Sequence, residues 1–149
     1  CDSGFGNLLA QQLDAKGVTV FAGCLFADGS DALKLKENCS NNLHILQLDV
    51  TKDEHVKNAV KYVTNNLGDK KLWAVVNNAG IGVGTDIPSS ASTDERQSGY
   101  VASLAGRLLS VFMGSYCMSK FATVAYADIL RMEMMRFGIS VHTIEPWIF

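Results

Sequence analysis

The chain has 149 residues, 48% hydrophobic and 19% charged, with a formal net charge of −2. That length supports one domain at most, the composition suits a globular protein with a buried core, and the absence of any basic stripe or arginine cluster excludes nucleic acid as an expected partner. There is no run of ~18 apolar residues, so neither a membrane span nor a signal peptide is expected; four cysteines without C-x-x-C spacing and three scattered histidines predict free thiols and no metal site.

In chain order, residues 6–16 read as a helix with Leu8, Leu9, Leu13 and Ala15 apolar, stopped by Gly17. A buried strand is predicted over 18–24, a weaker helix over 29–38, and a strand from Leu43 to Val50. Thr51 is placed to cap a helix over 52–67 that carries Val56, Ala59, Val60 and Val63 on one face. A strand over 72–77 follows, then a short strand from Tyr100 to Leu104, a long helix over 114–137 stopped by Gly138, and a last strand over 139–144. Near-continuous apolar strands separated by helices predict a parallel sheet covered on both faces.

Four stretches carry chemistry. The chain opens Cys1-Asp2-Ser3-Gly4-Phe5-Gly6 directly into a helix. Glycines there let the backbone approach a pyrophosphate, and a helix N-terminus supplies donors and a favourable dipole; Asp2 and Ser3 either cap the helix or touch such a ligand. Asp49-Val50 and Asn77-Asn78-Ala79-Gly80 each end a predicted parallel strand, at the carboxyl edge where open α/β sheets bind ligands. Finally, Tyr116 and Lys120 lie four apart on one helix face, thirteen residues after Ser103. A free tyrosine titrates near ~10, and an ammonium beside a phenol favours the phenolate. With a serine hydroxyl to hold a substrate oxygen, this is an acid–base pair for an alcohol or carbonyl.

Taken together, these motifs resemble the short-chain dehydrogenase/reductase family over nearly the whole chain. The flanking segments Cys1–Leu8, Leu48–Thr51, Leu72–Gly80 and Ile144-Glu145-Pro146 look like its retinol dehydrogenase and hydroxysteroid dehydrogenase branch. The resemblance implies a Rossmann-like, doubly wound α/β domain over residues 1–149. It implies a nicotinamide dinucleotide cofactor and a retinol- or steroid-like alcohol or carbonyl substrate. In that pattern Tyr116 is the acid–base, Lys120 tunes it and holds the nicotinamide ribose, and Ser103 orients the substrate oxygen. Gly4 and Gly6 lie by the pyrophosphate, Asp49 and Val50 near adenine, Asn77, Ala79 and Gly80 along the adenine ribose and sheet edge, and Pro146 beside the nicotinamide. The family also implies endoplasmic reticulum membrane association through a segment not contained here, and a homodimer.

The chain departs from that pattern in four ways. The strand and first glycine that precede the phosphate motif are missing, which leaves the two neighbouring strands as open edges. The connection from Ile81 to Ser98 has almost no apolar face, whereas a crossover between parallel strands calls for a sheet-covering helix; the family's catalytic asparagine has no counterpart, and part of the dimer face goes with it. Trp147 stands where the family has a glycine, and the chain stops at Phe149, before the segments that close over substrate. Cofactor choice leans to NAD rather than NADP: Cys24 occupies the position of the ribose-binding acid, yet no basic residue waits for a 2′-phosphate.

Two functions follow as expectations. One is NAD(P)-dependent oxidoreduction of a hydrophobic alcohol through Ser103, Tyr116 and Lys120. The other is a catalytically silent family member that retains dinucleotide binding or a pairing role.

Overall fold

The computed structural model describes residues 1–79, 97–109 and 113–146. The chain divides into two compact units, Cys1–Lys70 and Lys71–Phe149.

In the first unit, α1 (Gly4–Ala15) leads to β1 (Val20–Cys24), α2 (Ser30–Asn38), β2 (Leu43–Gln47) and α3 (Asp53–Asn66). β1 and β2 pair in parallel, with Val20 opposite Leu43 and Cys24 opposite Gln47. Alternation sends Ala22 and Leu43 to one face, where they pack with Ala10 of α1 and Leu35 of α2. Phe21 and His44 point the other way, their rings stacked at 4.9 Å, with Tyr62 of α3 edge-on to both. Helices thus cover both faces, as a parallel sheet requires. Val56, Ala59 and Val63 of α3 are half-buried, whereas Val60 is exposed. At the end of α1, the buried Asp14 accepts hydrogen bonds from Ser40 N at 2.8 Å and Ser40 Oγ at 2.6 Å, which ties the helix to the chain leaving α2.

In the second unit, β3 (Val75–Asn77), β4 (Gln97–Val101) and β5 (Ser140–Ile144) form a parallel sheet in that order. α4 (Gly114–Met134) packs on it through Ala127 and Leu130, against Tyr100 and Val141. Arg131 Nε donates to Val141 O at 2.9 Å and pins the helix to β5. A 3-10 turn, Met135–Phe137, follows α4, and Gly138 reverses the chain at φ +71°.

Among the described residues, β1 pairs only with β2 and β3 only with β4. Each unit therefore has an open edge at the strand that the sequence predicts to flank a missing one. The 81–98 connection lies outside the described residues except for Gln97 and Ser98, whose backbone belongs to β4, not to the crossover. β4 accordingly begins and ends three residues earlier than predicted, and Ser103 stands beyond it. β2 also stops short, leaving Asp49 and Val50 in the following turn. Two large side chains of these strands and their approaches face outward. Trp73 is 60% exposed ahead of β3, and His142 is exposed on the face of β5 opposite Val141.

Candidate functional site

In the first unit the site begins at Gly4, whose φ of +66° starts α1 two residues earlier than predicted, so Gly4 and the buried Gly6 both lie in its first turn. A side chain at Gly4 would be strained by that φ. Ser3 stands at the N-cap in extended backbone, yet its side chain makes no capping bond. The first N–H groups of α1 are therefore not spent on a side-chain cap, and a glycine-opened helix end of this kind fits a pyrophosphate. Asn7 Nδ2 folds the preceding residues back by donating to Cys1 O at 3.0 Å.

Asp2 caps nothing on α1. Its carboxylate reaches the segment after β1, where Oδ2 accepts from Leu25 N at 2.8 Å and Oδ1 from Phe26 N at 3.0 Å. Burial pushes this carboxyl up, but the two backbone bonds outweigh it and leave it below the usual carboxylate range.

Asp49 and Val50 form a built turn. Asp49 Oδ1 accepts from Thr51 Oγ1 at 2.7 Å and Thr51 N at 3.1 Å, and these bonds hold its carboxyl below the usual range. Its own amide donates to His55 Nδ1 at 3.1 Å. Thr51 does not cap α3, as the sequence predicts; its hydroxyl goes to Asp49, and Lys52 takes the N-cap position without a side-chain bond.

The second unit brings Ser103, Tyr116, Lys120 and Pro146 to neighbouring segments. Ser103, 4% exposed, caps a 3-10 turn over Leu104–Gly106, its Oγ accepting from Ala105 N at 3.2 Å. That bond uses an acceptor site and leaves the hydroxyl proton available. Tyr116 and Lys120 are half-buried on the first turns of α4. Lys120 Nζ stands 5.7 Å from the Tyr116 ring centre and 3.4 Å from Val101 O, at the end of β4. The ends of β4 and β5 are joined by Ala102 N to Ile144 O at 2.8 Å and Leu104 N to Pro146 O at 3.2 Å. Asn77 ends β3 opposite Tyr100, and Ala79 is exposed just beyond it. Gly80, Ser110 and Trp147 lie outside the described residues. Ser119 bonds within the helix, donating to Tyr116 O at 2.7 Å.

Sequence reasoning missed two parts of this constellation. Gly106 lets the turn after Ser103 lie directly on α4: a methyl group there would stand 2.8 Å from both Lys120 O and Val124 Cγ2. Arg107 grips Glu145, with Nη2 to Oε1 at 3.0 Å and Nε to Oε2 at 3.1 Å. This fork joins the Ser103 turn to the segment carrying Pro146 and holds the Glu145 carboxyl below its usual range. The available signal was a glycine-arginine pair just after Ser103 and an acid just before Pro146.

A family profile described as short chain dehydrogenase matches residues 1–99. The 17-beta-hydroxysteroid dehydrogenase type 6 of Homo sapiens is 36% identical, with 100% of this chain and 55% of the relative covered. Retinol dehydrogenase 16 of Homo sapiens is 39% identical, with the same coverage. The chain spans about half the length of the curated relatives it matches. The first match runs over 175 residues for a chain of 149, so the relative carries residues within the aligned stretch that are missing here. Among solved structures, serine dehydrogenase from Escherichia coli has a TM-score of 0.82 at 20% identity, covering 99% of this chain and 79% of that one. The 3-ketoacyl-(acyl-carrier-protein) reductase from Brucella melitensis, complexed with NADH, has a TM-score of 0.80 at 21% identity, covering 98% of this chain and 72% of that one. At those identities they show the fold, a Rossmann-like α/β arrangement that is partial here.

Proposed function

The chain belongs to the short-chain dehydrogenase family, a family of oxidoreductases, and from that premise we propose that its residues interconvert a hydrophobic alcohol and its carbonyl using a nicotinamide dinucleotide. The supporting observation is the cluster in the second unit, where Lys120 Nζ lies 5.7 Å from the Tyr116 ring and the buried Ser103 is locked onto the same helix through Gly106.

The cofactor, NAD or NADP, supplies or accepts the hydride when bound. Gly4, Gly6, Asp49, Val50, Asn77, Ala79, Gly80 and Pro146 are the residues to which the family pattern assigns it. Ser103 donates its free hydroxyl proton to the substrate oxygen. Tyr116 takes the proton from an alcohol or returns it to a carbonyl. Lys120 spends one N–H on Val101 O and keeps two for the nicotinamide ribose. The substrate class, retinoid or steroid alcohol, is carried over from the relatives' names, and membrane association and pairing of two copies from the family resemblance alone; no helix among the described residues is long and apolar enough to cross a membrane.

A second reading, a silent chain that binds dinucleotide without turnover, is favoured by the residues that the relative carries within the aligned stretch, 175 against 149 here. One experiment separates the two: nicotinamide absorbance with retinol and hydroxysteroid substrates, for the chain and for Tyr116→Phe. Turnover lost in the variant supports catalysis, and equal turnover in both overturns the assignment of Tyr116. Saturable NADH binding with no turnover by either supports the silent reading.

A further inference from the structure

The ribose-binding acid that a dinucleotide fold places at the end of the strand after its glycine loop is missing from β1. Cys24 holds that position, is fully buried, and has its thiol pushed up by burial. Leu25 and Phe26 follow, both exposed and apolar. A carboxylate nevertheless stands at this strand end, delivered from the glycine loop.

We propose that Asp2 is the residue that receives the adenosine ribose and selects NAD over NADP, an inference that rests on the dinucleotide reading above. Its two oxygens are fixed by separate backbone donors, Leu25 N at 2.8 Å and Phe26 N at 3.0 Å, so the group is held in place before any ligand arrives. The side chain is 27% exposed and therefore reachable. Each carboxylate oxygen has a further lone pair, and two acceptors side by side match the 2′- and 3′-hydroxyls of a ribose. A 2′-phosphate would bring about two negative charges to the same place. Nothing in the unit is arranged to receive it. Residues 1–70 contain no arginine, Lys34 is paired with Asp31 at 3.6 Å, and Lys52 with Asp49 at 3.7 Å.

The test is titration of the purified chain and of Asp2→Asn with NADH and NADPH, read by nicotinamide fluorescence, with a thermal melt of each protein. The chain is expected to bind NADH at least roughly tenfold more tightly than NADPH at low ionic strength, a margin that shrinks with added salt. Asp2→Asn is expected to bring the two within about threefold, mainly through tighter NADPH. Equal binding of both by the chain, or an unchanged ratio in the variant, overturns the proposal while leaving the dinucleotide reading intact. No saturable binding of either overturns both. If Asp2→Asn fails to melt cooperatively, displacement of NADH from the unaltered chain decides the matter. Adenosine 5′-diphosphate should compete and adenosine 2′,5′-bisphosphate should not, and equal competition overturns the proposal.

Discussion

Gly106 and Lys120 meet backbone to backbone: a methyl group on Gly106 would stand 2.8 Å from the Lys120 carbonyl oxygen. The helix carrying the phenol and the turn carrying the serine are therefore spaced by the absence of one side chain. Gly106→Ala must push the turn off α4, an overpacking that costs about 1–3 kcal/mol. The melting temperature should fall by several degrees, and any turnover should fall further than the stability loss explains, because Ser103 moves with the turn. Gly114→Ala is the control. Nothing lies within 4 Å of a methyl group there, and its melt should be nearly unchanged.

Lys120→Met keeps most of the aliphatic stem and removes the charge. Turnover should fall by about 10²–10³ and NADH affinity should weaken, with little change in melting temperature. Steady-state rates, fluorescence titration and a melt check the three parts separately. A large loss of stability with unchanged NADH affinity would make Lys120 a packing residue.

Much of this arrangement is legible in the sequence, and the failures have physical causes. The spacing of Tyr116 and Lys120 survives because helical periodicity is local. Ser103 is placed on the wrong element. The apolar run from Tyr100 suggested a strand to Leu104, whereas the backbone ladder with β5 runs from Gln97 to Val101 and includes Gly99. Thr51 was misread because the nearby Asp49 carboxylate competes for its hydroxyl. His142 sits in an apolar run but on the face of β5 turned away from α4, a distinction that run composition does not make. Gly106 against Lys120, and Arg107 against Glu145 across 38 positions, depend on tertiary contact and leave no periodic trace.

The Arg107–Glu145 fork should behave as a single unit. Arg107→Met and Glu145→Gln are each expected to lower the melting temperature, and the double variant should fall no further than the worse single one, since either change breaks the same link. Four melts complete the cycle. Additive losses would mean that the two side chains act independently.

Acid should loosen the first unit through Asp14. Its carboxyl is held below the usual range, first by the Ser40 hydroxyl and then by the Ser40 amide. The folded pKa lies below the unfolded one, so the unfolded chain binds more protons on acidification. The stabilisation is present above about pH 4 and is lost as pH falls through the folded value. Melting temperature followed downward from pH 6 should drop below about pH 4, and less steeply in Asp14→Asn, which starts from a lower value. An identical slope in the two proteins would exclude Asp14 as a source of acid sensitivity.

Every strand pairing among the described residues is parallel, and that determines the order of events as the chain folds. A hairpin can zip from its turn, but parallel neighbours find their register only after the intervening chain has looped back. β4 and β5 cannot align until α4 has formed between them, and α4 is the element bearing Tyr116 and Lys120. The helix bearing Tyr116 and Lys120 is thus also the folding bridge of its unit. Substitutions that weaken its helicity should slow the search for the native state, which non-local pairing already makes slow.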